Sequence, residues 1–173
     1  MGVFAQRFAA DGTPTGPEFR VNVSEDGKQF YPSVAMLADG GFAIGFHESD
    51  AEDDRLFEVK CRRFDSNGEA DDEFQLNTYT DAVQKAVRVA SGPDGFIAVW
   101  ESLGQDGDAY GVFGRSYDTV MGEDAEEWQI NEIGDRWQQA PAVATGADGR
   151  IVVVWQENDG YGEFKIRTRV FEP

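Results

Sequence analysis

The chain has 173 residues, of which 40% are hydrophobic and 13% aromatic, so it has enough apolar material to fold and is not a disordered acidic tail. Its 33 acidic and 15 basic residues give a net charge of −18, which argues against nucleic acid and anionic membranes as partners. The sequence lacks a bilayer-spanning apolar run and a signal-peptide pattern, and we therefore expect no membrane insertion.

Strand patterns begin at the N-terminus. Residues 2–22 contain two strand-like segments, the second of which carries the pattern Glu-aromatic-x-aliphatic-Asn at 18–22. A predicted hairpin follows, with strands at 33–37 and 42–46 on either side of an Asp-Gly turn at 39–40. Asp-Gly between two such segments is a strong hairpin signal, because glycine readily adopts the positive φ that tight turns require.

The same elements recur along the rest of the chain. Each copy has the Glu-aromatic-x-aliphatic-Asn pattern, then a Gln, a Val-Ala pair, an Asp-Gly turn and an apolar strand that ends in an aromatic residue; the Gln and aromatic positions are Gln29, Gln84 and Gln138, and Phe46, Trp100 and Trp155. No helical periodicity is long enough to predict a helix. The chain is therefore three tandem copies of a roughly 54-residue, four-strand unit, at about 29–78, 84–131 and 138–171.

This pattern predicts an all-β, β-propeller-like fold with three four-stranded antiparallel blades per chain. Residues 1–173 then form a single repeat domain, in which the N-terminal strands at 2–22 complete a blade. The third-strand element occurs at both ends of the chain, so one copy is redundant or completes a blade in another molecule. We expect either a homodimer that forms a six-bladed ring or a compact three-blade arrangement. A β-trefoil, which also repeats four strands three times, is the alternative.

The repeat resembles one found in large bacterial secreted and surface proteins, including RTX-type adhesins. The resemblance covers essentially the whole chain and is carried by Gly104-Gln105-Asp106-Gly107, Gly111-Val112-Phe113, Glu18-Phe19, Pro32, Asp39-Gly40-Gly41-Phe42 and Trp100. The sequence departs from the pattern at Val87, where the other copies have Pro, and at Phe46, where Trp is usual. The resemblance implies an extracellular or cell-surface module, excised from a larger protein, with no catalytic residues to carry over.

The loops after the second hairpin strands are the candidate metal sites. They lie at 48–57, 101–110 and 157–163, and their acidic residues are Asp50, Asp53, Asp54, Asp106, Asp108 and Asp159. Closely spaced Asp with Gly can supply the oxygen ligands of calcium, which is the one cofactor that the sequence suggests. The full EF-hand spacing is absent, so solvated acidic loops on an acidic protein are the competing interpretation.

A second candidate site is a possible sugar-binding position. Trp137 lies in a polar stretch and could present a flat ring to a carbohydrate, with Arg136 and Glu132 close in sequence. The alternative is that these residues are structural. Cys61 and His47 are the only residues of their types, and their equivalents in the other copies indicate a packed small residue and a strand-end polar residue.

Three function classes follow from these observations. A non-enzymatic adhesion or assembly module is the first, with itself or a cell-surface partner as the molecule bound. A glycan-binding propeller is the second. A propeller hydrolase is the third and least favoured, because the positions that begin the first strand of each copy carry no acid or base; they are Tyr31 and Pro32, Ala86 and Val87, and Ala140 and Pro141.

Overall fold

The computed structural model of the chain describes residues 1–173 except 50, 51, 54, 93, 119–125, 133, 135, 159 and 173. The described residues form β-strands and no helix, and therefore no membrane-spanning helix occurs among them. The first two strands, β1 (Phe4–Ala5) and β2 (Phe19–Arg20), pair antiparallel as a small sheet, sheet I. The prediction of an all-β chain is confirmed.

Two complete four-stranded sheets follow. Sheet II has the order β3-β4-β5-β6, with β3 (Gln29–Met36), β4 (Phe42–Ser49), β5 (Phe57–Phe64) and β6 (Phe74–Gln75). Sheet III repeats that order with β7 (Gln84–Ser91), β8 (Gly95–Leu103), β9 (Tyr110–Asp118) and β10 (Trp128–Gln129). Both are antiparallel meanders, as the repeat predicts.

Among the described residues the last sheet has three strands, so the predicted count of three four-stranded blades is wrong. Sheet IV contains β11 (Trp137–Thr145), β12 (Ile151–Asn158) and β13 (Phe164–Phe171). The fourth strands of sheets II and III come from the Glu-aromatic-x-aliphatic-Asn segment that follows the third strand. Whether the N-terminal strands complete a blade in a ring stays a prediction.

The sheets stack in chain order through hydrophobic clusters. Strand β7 packs across β3, β4 and β5, and β11 packs across β7, β8 and β9. One cluster lies between each pair of consecutive sheets, with Phe46, Trp100 and Trp155 among the buried aromatics. Strand β4 is buried throughout, and β8 is buried at every residue except its last, because a sheet covers each face. No sheet among the described residues closes into a barrel, which contradicts the β-trefoil alternative.

The first strand of each copy contains a bulge that the sequence did not predict. Pairing slips between residues 30 and 33, 85 and 88, and 139 and 142. One residue in each bulge has a left-handed backbone, with φ of 54° at Tyr31, 55° at Ala86 and 52° at Ala140. Non-glycine residues are uncommon in that region, so its recurrence at one position marks a built feature of the repeat.

Candidate functional site

The repeated Asn is a structural residue. Asn22, Asn77 and Asn131 are 2–4% exposed. Each side-chain oxygen accepts a backbone N–H in or next to the third strand of its own sheet, from Val3 at 2.8 Å, Val59 at 3.0 Å and Val112 at 2.8 Å. This bond holds the short fourth strand against its sheet, so the Asn is accounted for without a ligand.

The repeated Glu and Arg connect neighbouring sheets. Glu73 accepts the amide of Val23 at 2.8 Å, and Glu127 accepts the amide of Thr78 at 2.7 Å. A third-strand arginine of each later sheet in turn donates to the carbonyl directly after the preceding fourth strand; the pairs are Arg62 to Val21, Arg115 to Leu76 and Arg169 to Ile130, at 2.8–3.2 Å. These polar residues therefore hold the stack of sheets together.

A pocket of about 200 Å³ lies beside sheet IV and contains a residue of the predicted sugar site. Its lining comes from the residues directly after β10 and from β12 and β13; the residues are Ile130, Asn131, Glu132, Trp155, Glu157, Arg167, Thr168 and Arg169. The predicted Glu132 lies there, highly exposed, with its carboxylate 3.8 Å from the Arg169 guanidinium. The pocket thus holds two carboxylates and two guanidinium groups.

Of the three predicted sugar-site residues, only Glu132 lines this pocket. Arg136 does not line it and instead donates to the Glu157 carboxylate at 2.8 Å. Trp137 is also outside, 50% exposed, with its ring edge-on to Tyr110 at 6.1 Å between centroids. The Lys85 ammonium lies 4.1 Å from the centroid of the Tyr110 ring. The structure therefore places a half-exposed aromatic pair with a cation near the predicted Trp137, and the partners Tyr110 and Lys85 were missed.

Glu157 is the buried acidic residue of the pocket, and its surroundings keep it ionised. Its carboxylate accepts from Arg167 at 2.9 and 3.1 Å and from Arg136 at 2.8 Å. The Arg167 hydrogen bonds, followed by the Arg136 one, lower the pKa of Glu157 below its ordinary value. A carboxylate held in this form is a poor general acid at neutral pH.

A pair equivalent to Glu157 and Arg167 occurs in sheet II, where Lys60 of the third strand contacts Glu48 of the second strand. Gln29 also donates to Glu48, at 2.7 Å. Aligning the copies brings Lys60 and Arg167 to one position, so the sequence contained the signal for this cross-strand pair. A recurring ion pair of this kind fits a structural role in the sheet.

The predicted metal ligands lie apart in the described chain. Asp53 is bound by Arg55, whose guanidinium and amide lower the pKa of Asp53 to about 2. Asp106 accepts from Asn131 at 3.1 Å and Gln129 at 3.4 Å in a different loop, and Asp108 is exposed. No group of three potential ligand residues occurs among the described residues.

The other predicted ligands, Asp50, Asp54 and Asp159, lie outside the described residues. Calcium binding in these loops stays a prediction. Cys61 is fully buried between sheets II and III, which confirms its interpretation as a packed residue. Burial raises the pKa of its thiol, so the reactive thiolate is disfavoured.

Comparisons with known proteins bear on the fold alone. No protein-family model matches the chain, and no curated protein matches it. Among solved structures, the chain is similar to an endo-arabinase from Bacteroides thetaiotaomicron, with a TM-score of 0.54 and 14% identity. The match covers 95% of this chain and 63% of that chain. The chain thus has a propeller-type arrangement of antiparallel sheets and spans less than two thirds of that structure's length.

Proposed function

We propose that the chain is a non-enzymatic repeat module, extracellular or on a bacterial cell surface, that serves adhesion or assembly on a propeller-type scaffold. The observation that carries this proposal is that the repeated polar side chains form hydrogen bonds within the scaffold. The repeated Asn, Glu and Arg each bind backbone groups of their own or the neighbouring sheet. Recognition then falls to the loops that differ between copies and to the two end faces of the stack.

The hydrolase alternative is supported by the likeness to an endo-arabinase, which is an enzyme. Glycoside hydrolysis typically needs two carboxyl groups on either side of the scissile bond, one of them protonated. Glu157 is held ionised by two arginines. Glu101 is 4% exposed, and one of its oxygens accepts the Ala140 amide at 2.6 Å. Burial raises the pKa of Glu101, but its carboxyl group is enclosed and bonded to the Ala140 amide, so both glutamates fit a structural role, which supports a non-enzymatic module.

Carbohydrate binding is the second candidate function, and Trp137 is the observation that favours it. Trp100 and Trp155 are at most 7% exposed and Trp128 is half-buried, whereas Trp137 exposes half of its surface beside Tyr110. An exposed aromatic ring with cations near it suits the apolar face and hydroxyl groups of a sugar. Because the other tryptophans are more buried, emission changes caused by a bound sugar should come mainly from Trp137.

One saccharide panel tests both alternatives. Arabinan and a set of soluble oligosaccharides are incubated with the protein, and reducing ends and tryptophan emission are measured. We expect no release of reducing ends above a heat-denatured sample. Release that is lost in Glu157→Gln or Glu101→Gln would overturn the non-enzymatic proposal. A saccharide-dependent emission change that is absent from Trp137→Phe would favour the lectin-like candidate over adhesion through the end faces.

A further inference from the structure

The contact between neighbouring sheets is built twice in the same way. Val89 of β7 is 7% exposed because it packs on sheet II, where a Cβ added to Gly45 would lie 3.1 Å from the Val89 side chain. Val59 of β5 is fully buried in the same cluster. Sheet IV repeats the arrangement on sheet III, with β11 across β7, β8 and β9. Each first strand thus covers the face of the preceding sheet.

Sheets II and IV each expose a residue whose equivalents are buried in this contact. Val34 of β3 is 62% exposed, although it corresponds to Val89. At the other end, Ile166 of β13 is 70% exposed, although its equivalents Val59 and Val112 are 0% exposed. Val34 lies on the face that would meet a preceding sheet, and Ile166 lies on the face that would meet a following one. The part of the β3 face that sheet I leaves uncovered and the outer face of sheet IV are therefore the two unmatched halves of one interface.

A hydrogen bond between neighbouring sheets also has a donor position in sheet II and an acceptor position in sheet IV that are left unmatched. The Ala86 amide in the bulge of β7 donates to His47 Nδ1 at 3.2 Å, and the Ala140 amide in the bulge of β11 donates to Glu101 Oε1 at 2.6 Å. Tyr31 occupies the same bulge in β3, with φ of 54°. Gln156 occupies the acceptor position in sheet IV, where it is exposed, whereas His47 and Glu101 are 5% and 4% exposed. A Gln side-chain oxygen is a suitable acceptor for an amide.

A groove lies where a preceding sheet would sit against β3. Its volume is about 570 Å³, and it is lined by β1, β3, β4 and their connections, with Val34, Met36, Phe42, Ile44 and Phe8 among its apolar residues. We propose that this groove receives sheet IV of a second copy of the chain, head to tail, in the contact that joins sheets II and III. Ile166 of one copy then packs near Val34 of the next, and Gln156 accepts the amide of Tyr31. This inference names the partner for the proposed role in assembly and rests on that role.

The third-strand element occurs twice, as β1 in one copy and as β13 in the other. Only one of the two can occupy the third-strand place in a sheet shared by both copies. In sheet I, β1 pairs with β2 through two residues, whereas β13 pairs with β12 through eight. Fewer paired residues are lost when β1 leaves than when β13 leaves. We therefore assign the third-strand place of the shared blade to β13 and the fourth-strand place to β2 of the neighbouring copy. Such a head-to-tail contact closes into a ring if the rotation allows and otherwise extends into a chain.

Two charged substitutions test the interface from its two sides. Val34→Asp disables the β3 face and Ile166→Glu disables the sheet IV face, and both positions are exposed, so the fold itself should survive. We expect the wild type to associate in light scattering on a sizing column, and each variant alone to be monomeric, with a dissociation constant raised at least about tenfold. Tyr161→Asp is the matched control, because Tyr161 is 95% exposed in a loop and should leave association unchanged. Circular dichroism and Tm verify folding.

Mixing the two variants gives the decisive outcome. Val34→Asp keeps an intact sheet IV face and Ile166→Glu keeps an intact β3 face, so an equimolar mixture should form a one-to-one dimer and nothing larger. A wild type that stays monomeric at its highest soluble concentration would overturn the proposal. So would variants that each abolish association but do not recover it on mixing, since that behaviour belongs to a symmetric interface. The saccharide panel is independent of these results, so failure of the proposed function remains distinguishable.

Discussion

His47 shows how a single side chain connects two sheets. It is 5% exposed, and its Nδ1 accepts the Ala86 amide of the next sheet, which requires a ring without a proton on that atom. Burial, then the positive charges of Lys85 and Arg88, lowers the pKa of His47 to about 4. The aromatic rings of Phe30 and Phe57 pack against it. The imidazole therefore stays neutral at physiological pH in the folded chain.

This lowered pKa makes stability depend on pH in a defined direction. Between about pH 6.5 and 4 the unfolded chain binds a proton at His47 that the folded chain does not, so the contribution is complete above pH 6.5 and is lost as pH falls towards 4. We expect His47→Gln, which keeps an acceptor without a titrating group, to remove up to about 3 kcal/mol of this loss.

Urea unfolding at several pH values measures this loss of stability, as the difference in the free energy of unfolding between His47→Gln and the wild type. The difference is needed because burial raises the pKa of Glu101, which acts in the opposite direction over an overlapping range. Curves for the two proteins that run parallel from pH 7 to pH 4 would contradict the assignment.

At the scale of the elements, the recurring bulge sets the geometry of the first strands. Ala140 has φ of 52° while its strand neighbour Ala142 lies beyond the bulge, and both side chains are exposed. A left-handed backbone costs L-residues about 1–2 kcal/mol, and a branched Cβ increases the strain. We expect Ala140→Val to lower the free energy of unfolding by about 1–3 kcal/mol, whereas Ala142→Val should change it little. Equal effects in urea unfolding would show that the bulge carries no such strain.

The hairpins of this fold can be predicted from the sequence, whereas its bulges cannot. The hairpin strands followed from Asp-Gly turns and apolar runs, and the structure places them at β3–β4, β7–β8 and β11–β12. The bulges did not follow, because Tyr31, Ala86 and Ala140 share no turn-forming residue type. At Ala86 and Ala140 the left-handed backbone is supported by acceptors from another sheet, His47 and Glu101. A contact between residues of different repeats leaves no local signal in the sequence.

At the scale of the whole molecule, net charge opposes compaction and association. A charge of −18 on 173 residues gives self-repulsion that salt screens, since the Debye length falls from about 30 Å at about 0.01 M salt to about 10 Å at about 0.1 M. We expect Tm to rise across this range, by about 2–4 °C for each kcal/mol of repulsion relieved.

Calorimetry in NaCl and in CaCl2 at equal ionic strength separates screening from specific calcium binding. An additional rise in calcium would support the calcium prediction for the acidic loops. A Tm that is constant or falls with NaCl would contradict the repulsion argument.

Local patterns in the sequence are enough to establish the class and the period of the fold. Alternating and apolar strand patterns, Asp-Gly turns and one motif at 18–22, 73–77 and 127–131 are local signals, and they are sufficient to predict antiparallel four-strand units. The number of strands in each sheet and the partners of the polar residues depend on how the sheets pack in three dimensions. Glu73 binds an amide 50 residues away and Arg115 a carbonyl 39 residues away. Trp137 and Glu132, close in sequence, are separated because one lies on a strand of sheet IV and the other lines the pocket beside it. Stacking sheets brings distant residues together and parts near ones, and no pattern along the chain encodes that rearrangement.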